Sequence, residues 1–278
     1  MIPTGFRRGH HGFTLVETLV ATALSLTALA GTITAWFQVQ RGYAAAQLEQ
    51  RLHERAQYVF ATLEPELQMA GFFGLGRTLP VVRADDLPPS ARRCGDGQIT
   101  NLARSVEYSD NRYALPCAAE GRGPVNDSDT LTLRRASARL ADPVPGRAQL
   151  LGSILSPVAQ ALIWDGTLPP EAELLPSRTE LRDLIVRSYY VARSADGDRY
   201  TPALRVKSLT AIAGNPAFVD TEVMAGIEDL QVTLQPATGT PRSVQITLGV
   251  RADSADARAG DPLAHRRYTR HFAIRNAP

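Results

Sequence analysis

From Thr18 to Gln40 the chain carries no ionisable residue, and apolar or small side chains dominate Thr18–Phe37. A helix needs about 20 such residues to cross the hydrocarbon of a bilayer. After Arg41 the pattern changes without a break. Leu48, Leu52, Ala56, Val59, Phe60, Leu63, Leu67 and Ala70 recur at three- and four-residue spacings, and Glu49, Arg51, Glu54, Arg55, Glu64 and Glu66 fill other positions. That is the stripe of a helix with one buried face. The pattern predicts a single helix from about Phe13 to about Ala70, on the order of 85 Å long, with Gly71 as its stop. Pro65 falls inside this pattern and predicts a kink or a detached last turn.

Beyond the helix, residues 71 to about 180 read as irregular, rich in Pro, Gly, Asp and Arg over Val82–Gly97 and Ala118–Asp129. Only short runs such as Thr130–Leu133 and Ala161–Trp164 look strand-like. From Leu181 onward the strand signals become regular: Leu184–Ala192, Leu204–Leu209, Gly226–Leu234, Ser243–Val250 and Tyr268–Arg275, with Asp196-Gly197 as a turn. Val244, Ile246, Leu248 and Val250 alternate strictly, as a sheet with one buried face requires. Tyr189 and Tyr190 fall on opposite faces of their strand, so at most one is expected in the core. A long N-terminal helix packed on a late antiparallel sheet is an α+β arrangement.

The chemistry that changes this picture sits at the head of the helix. Arg7, Arg8, His10 and His11 precede Gly12-Phe13-Thr14-Leu15-Val16-Glu17, so a carboxylate stands at the mouth of the uncharged span. An ion such as Asp or Arg at the centre of a spanning helix costs roughly 2.5–3.5 kcal/mol on insertion scales, so Glu17 needs a reason to be there. Gly12 has no side chain, which lets an extended backbone enter a protease cleft closely. A cut after it would leave a cationic amine on Phe13, four residues from Glu17 and on the same helix face.

A short basic leader ending in Gly, then Phe-Thr-Leu-Val-Glu, then an apolar helix, resembles the class III signal of type IV pilins and their relatives. The resemblance implies cleavage between Gly12 and Phe13 by a prepilin peptidase, N-methylation of Phe13, and a Glu17 carboxylate used in subunit docking. It divides the chain into a leader (1–12), a transmembrane and assembly half of the helix (13–40), an amphipathic half (41–70) and a periplasmic globular domain (71–278). Two blander readings stand beside it. One is a secretory signal with Ala28-Leu29-Ala30 at its cleavage site, and the other is a plain anchor. Glu17 and the apolar run through Ile33, Trp36 and Phe37 weigh against the secretory reading. Under the pilin-like and anchor readings, the arginines before the span place the N-terminus in the cytoplasm.

Later segments narrow the resemblance. Leu67-Gln68-Met69-Ala70-Gly71-Phe72 resembles the helix ending of PilW-type minor pilins, with Gln68 in place of an arginine. Tyr189-Tyr190-Val191, Leu204-Arg205, Gly226-Ile227-Glu228-Asp229-Leu230-Gln231-Val232 and the closing Ile274-Arg275-Asn276 resemble that family's strands. Leu75 departs from it, standing where such proteins often carry a cysteine. The resemblance implies a minor pilin that helps to initiate pilus assembly and sits near the tip. Its partners would be other minor pilins, the major pilin, the prepilin peptidase, the inner-membrane assembly machinery and membrane lipid. The alternative is a minor pseudopilin of type II secretion, and a third class is a membrane-anchored periplasmic enzyme.

Net charge is +2, so no nucleic-acid partner is expected. Cys94 and Cys117 lie beyond the span, and in an oxidising compartment the pair reads most simply as a disulfide, with free thiols left open. No H-E-x-x-H, G-x-S-x-G, Walker loop or C-x-x-C occurs, so neither cofactor nor metal nor catalytic residue is expected. Asp127-Ser128-Asp129 and Asp196-Gly197-Asp198 are the carboxylate pairs nearest to a calcium pattern, and both read better as turns or loops. His265, His271, Arg266, Arg267 and Arg270 read as a solvated edge strand protected by charge.

Overall fold

The computed structural model describes residues 12–74, 79, 82–83, 87–153, 161–170, 179–193, 201–252 and 265–276. The chain divides into two compact units, Met1–Glu49 and Gln50–Pro278. Helix α1 spans Leu15–Met69, and Pro65 lies inside it. The helix continues past the proline for one more turn. So near its end, Pro65 removes a single backbone donor, and the expected detached turn does not form. Gly71 follows at φ +84°.

In the second unit α1 buries the predicted stripe: Leu52, Ala56, Val59, Phe60, Leu63, Leu67 and Ala70 are all at most 2% exposed. The stripe packs on a three-stranded antiparallel sheet of order β10–β9–β8, made of Ile227–Gln235 (β8), Ser243–Arg251 (β9) and His265–Ala273 (β10). The alternating Val244, Ile246, Leu248 and Val250 of β9 are fully buried. Phe60 meets Phe272 at 6.0 Å between ring centroids, and His53 meets Tyr268 at 5.6 Å. Polar contacts fix the register of helix on sheet: Arg270 to Glu64 at 3.2 Å, and Asn276 Nδ2 to the Gln68 carbonyl at 3.0 Å. Each fully buried Leu, Val or Phe contributes about 1.5–3 kcal/mol, so this face dominates the packing.

A second, seven-stranded sheet joins four short strands from the stretch that read as irregular to strands expected later in the chain. Its strands are Val106–Ser109 (β1), Thr130–Ala136 (β2), Gln149–Ser153 (β3), Ala161–Ile163 (β4), Thr179–Arg193 (β5), Pro202–Ile212 (β6) and Asn215–Ala225 (β7). The fifteen-residue β5 organises it, pairing with β3 through its first third, β2 through its middle and β6 through its last third. Short helices Pro89–Arg92 (α2) and Gly97–Thr100 (α3) contribute Ala91 and Ile99 to a core with Leu102, Leu150, Leu184 and Val186. The late part of the chain therefore forms two sheets rather than one, and the described residues before 180 contribute four short strands, two of them at the strand-like runs Thr130–Leu133 and Ala161–Trp164. The Asp196–Asp198 turn lies outside the described residues.

Both tyrosines of β5 are core, which corrects the expectation of at most one: Tyr189 and Tyr190 are each 1% exposed. The second face is covered by the segment around Tyr113 and Glu120. Tyr190 donates to Asp220 at 2.5 Å and accepts from the Glu120 amide at 3.0 Å, with the Tyr113 ring 4.8 Å away. Burial and the Asp220 hydrogen bond push the Tyr190 hydroxyl well above its ordinary range. Cys94 and Cys117 form a disulfide across this segment, 23 residues apart in sequence.

Two buried ionic groups tie the sheets down. Arg134, fully buried, donates to the carbonyls of Gln98 (2.8 Å), Arg104 (2.6 Å) and Gly97 (3.2 Å) and to Glu107 (2.8 Å). Glu66 of α1 accepts from Arg135 of β2 and Arg187 of β5, joining the helix to the larger sheet. Where α1 ends, the Gly71 amide donates to the Arg134 carbonyl at 3.1 Å. A Cβ on Gly71 would overlap the Asn276 carbonyl oxygen, and its positive φ already disfavours other residues. Gly71→Ala is expected to cost about 3 kcal/mol, combining backbone strain and overpacking. Urea denaturation of the detergent-solubilised chain, followed by Trp fluorescence, measures it.

Candidate functional site: the head of the N-terminal helix

Gly12, Phe13 and Thr14 precede the first helical residue, Leu15, and Phe13 is 82% exposed. Thr14 caps the helix. Its hydroxyl accepts from the Glu17 amide at 3.3 Å, and its own amide donates to Glu17 Oε2 at 3.4 Å. This is a reciprocal capping box, which satisfies two amides that a helix start leaves without partners. Glu17 also lies in the first turn, where the helix dipole favours a negative charge. The structure thus gives Glu17 a local role that the sequence reading does not assign. The signal is present as Thr-x-x-Glu, but the apolar run draws attention to the charge alone.

Downstream, the span is chemically quiet. Each hydroxyl from Thr18 to Thr34 returns to a carbonyl three or four residues back: Thr18 to Leu15, Thr22 to Thr18 and Leu19, Ser25 to Ala21, Thr27 to Leu24, Thr32 to Leu29, and Thr34 to Ala30 and Gly31. Back-bonding of this kind lets Ser and Thr sit in lipid without an open donor. Around them Leu15, Val16, Leu19, Val20, Leu24, Leu26, Leu29 and Ile33 are exposed on this unit. An apolar surface of that extent requires lipid or other helices to cover it. Trp36 and Phe37, ring centroids 5.2 Å apart, with Arg41 and Tyr43 beyond them, close the apolar run. Such aromatic and basic residues collect at the membrane–water boundary. By length and composition the helix can cross a bilayer.

Phe13 and Glu17 are thus placed at one end of an uncharged span, while Cys94 and Cys117 lie in the second unit and belong to its packing. In that unit the Asp127–Asp129 segment serves structure. Asp129 accepts from the amides of Asn111 and Val232, each at 2.7 Å, and burial raises its carboxyl above the usual range. Among the described residues no cluster of His, Cys, Asp and Glu could hold a metal ion. His265 pairs with Glu228 at 2.9 Å. A surface cavity of about 420 Å³ is lined by Asp127, Glu228 and Asp229 against Arg193, Arg251 and Arg267, a balanced set of charges of the kind that holds loops together.

No curated protein and no solved structure matches the chain. Residues 7–33 match the family described as the prokaryotic N-terminal methylation motif. That match covers the Gly12–Phe13 junction, the Thr14–Glu17 box and most of the span. It supports a prepilin-type protein, type IV pilin- or pseudopilin-like, and with the apolar N-terminal helix it is consistent with a single-pass inner-membrane anchor.

Proposed function

We propose that the chain is a minor pilin of the PilW type, which helps to initiate type IV pilus assembly and takes its place in a pilus tip complex. The observation that carries this is Glu17, a carboxylate at the head of an uncharged span, directly after the Gly12–Phe13 junction and within the matched motif. On this reading prepilin peptidase removes residues 1–12 and Phe13 is methylated. The arginines upstream of the span keep the N-terminus in the cytoplasm, and residues 71–278 fold in the periplasm. Glu17 then meets the Phe13 amine of a neighbouring subunit. Their pairing offsets the cost of a lipid-facing carboxylate only where a neighbour is present, so a subunit enters beside others. Small residues along the span, Ala21, Ala23, Ala28, Ala30, Gly31 and Ala35, allow close helix approach to other minor pilins and the major pilin.

Sheared surface filaments test the assignment. The chain is expected in the filament fraction at a small ratio to the major subunit, and its deletion is expected to lower filament number at least tenfold. Its absence from filaments, together with a secretion defect on deletion, would replace this reading with the minor pseudopilin of type II secretion.

A further inference from the structure

The three-stranded sheet treats its two edges differently. At β8, the outward amide of Leu230 donates to Ser128 Oγ at 3.1 Å, and the Leu230 carbonyl accepts from the Asp129 amide at 2.8 Å. The Val232 amide donates to Asp129 Oδ2 at 2.7 Å, and the Gln231 side chain reaches the Asp127 carbonyl at 2.8 Å. Residues 127–129 therefore close that edge with hydroxyl, carboxylate and backbone groups.

The opposite edge is β10. The Ile274 amide donates to the Arg242 carbonyl at 2.8 Å, and the pairing of β10 with β9 runs without a register shift from His265↔Arg251 to Ala273↔Ser243. The even-numbered residues of β10 thus turn their backbone groups toward β9, and His265, Arg267, Thr269, His271 and Ala273 turn theirs outward. Among the described residues no group bonds to those outward amides and carbonyls. The strand has nine residues and no Pro, Gly or bulge, so among the described residues the device that blunts this edge is charge. From His265 to Asn276 there are four arginines, two histidines and no acidic residue; Arg270 is held by Glu64 and His265 by Glu228, Arg267 makes only a long 3.8 Å contact with Asp229, and Arg266 has no ion pair among the described residues. That row repels an identical strand laid against it and attracts an acidic one.

We infer that the open edge of β10 is a docking site for an extended acidic segment of a partner protein, which adds to the sheet as a fourth strand by main-chain hydrogen bonding. Outward backbone groups at alternate residues supply the ladder, and Arg266 and Arg267 select the charge, Arg267 exchanging its 3.8 Å contact with Asp229 for a carboxylate of the partner. The inference concerns the second unit alone and stands whichever assembly the chain serves.

The test uses the full chain in detergent micelles and a fluorescent nine-residue peptide with Glu at alternate positions. The peptide is expected to bind, and N-methylation of its alternate backbone amides is expected to weaken binding at least tenfold without changing its charge. Arg267→Glu and Thr269→Pro are each expected to weaken it similarly. The proline removes an outward donor and leaves the β9 ladder intact. Because the methylated peptide leaves the protein untouched, misfolding of a variant cannot mimic the effect. Equal binding of both peptides would reduce the site to charge attraction and overturn the inference. So would absence of binding, or a basic peptide bound as tightly as the acidic one.

Discussion

Glu17→Gln is expected to lower the fraction of chain recovered in assembled filaments at least tenfold while leaving its amount in the membrane unchanged. Glutamine is the informative substitution because it serves at this position of a capping box as glutamate does. It keeps an oxygen for the Thr14 amide (3.4 Å in the native box) while removing the charge. Thr14→Ala does the opposite. It deletes the hydroxyl that accepts from the Glu17 amide at 3.3 Å and leaves the carboxylate in place. Loss of a cap costs about 1 kcal/mol, which frays a first turn but does not remove an ion pair. Thr14→Ala should therefore assemble within about threefold of the native chain. The opposite order, with Glu17→Gln assembling normally and Thr14→Ala failing, would make Glu17 a structural cap and remove it from subunit docking.

Arg134→Ala is expected to destabilise the second unit by about 3–5 kcal/mol, the range for breaking one partner out of a buried ion pair. The side chain is 1% exposed, whereas Glu107 is 32% exposed. The cost therefore lies mainly in the stranded carbonyls of Gly97, Gln98 and Arg104 and less in the carboxylate. Arg134→Lys should recover under half of it, since one ammonium cannot reproduce a planar fork with acceptors on several sides. Against total stabilities of about 5–15 kcal/mol, the alanine variant should show a clear fall in urea midpoint. A change under 1 kcal/mol would mean that residues 97–107 are held by the disulfide and α3 instead.

The sequence is legible where one periodicity runs long enough against one environment. The stripe from Leu52 to Ala70 and the alternation of Val244–Val250 each bury a single face, so pattern and burial coincide. The larger sheet is harder to read because its strands lack that simplicity. All five residues of β3 are buried, so no alternation marks it. Strand β7 opens at Asn215-Pro216 and carries two carboxylates, Asp220 and Glu222, in a run without apolar alternation. Asp220 is neutralised by Arg205 at 2.7 Å and Lys207 at 2.9 Å on the adjacent strand. Pairing across strands of that kind has no trace in local sequence. The expectation for Tyr189 and Tyr190 assumes one face in water, and the disulfide-bonded segment over the second face makes both core. At the head of the helix the charge and the span are readable, and the capping role of Thr14 escapes.

The central claim is that the Gly12–Phe13 junction is cut and the freed end joins an assembly, and the intact mass of the protein's N-terminal peptide tests it most directly. It is measured on chain purified from cells with and without prepilin peptidase. The account predicts a peptide that begins at methylated Phe13 and is absent without the peptidase. A start at Gly31 in both strains, or an intact leader in both, would contradict it and leave a secreted or simply anchored protein in its place.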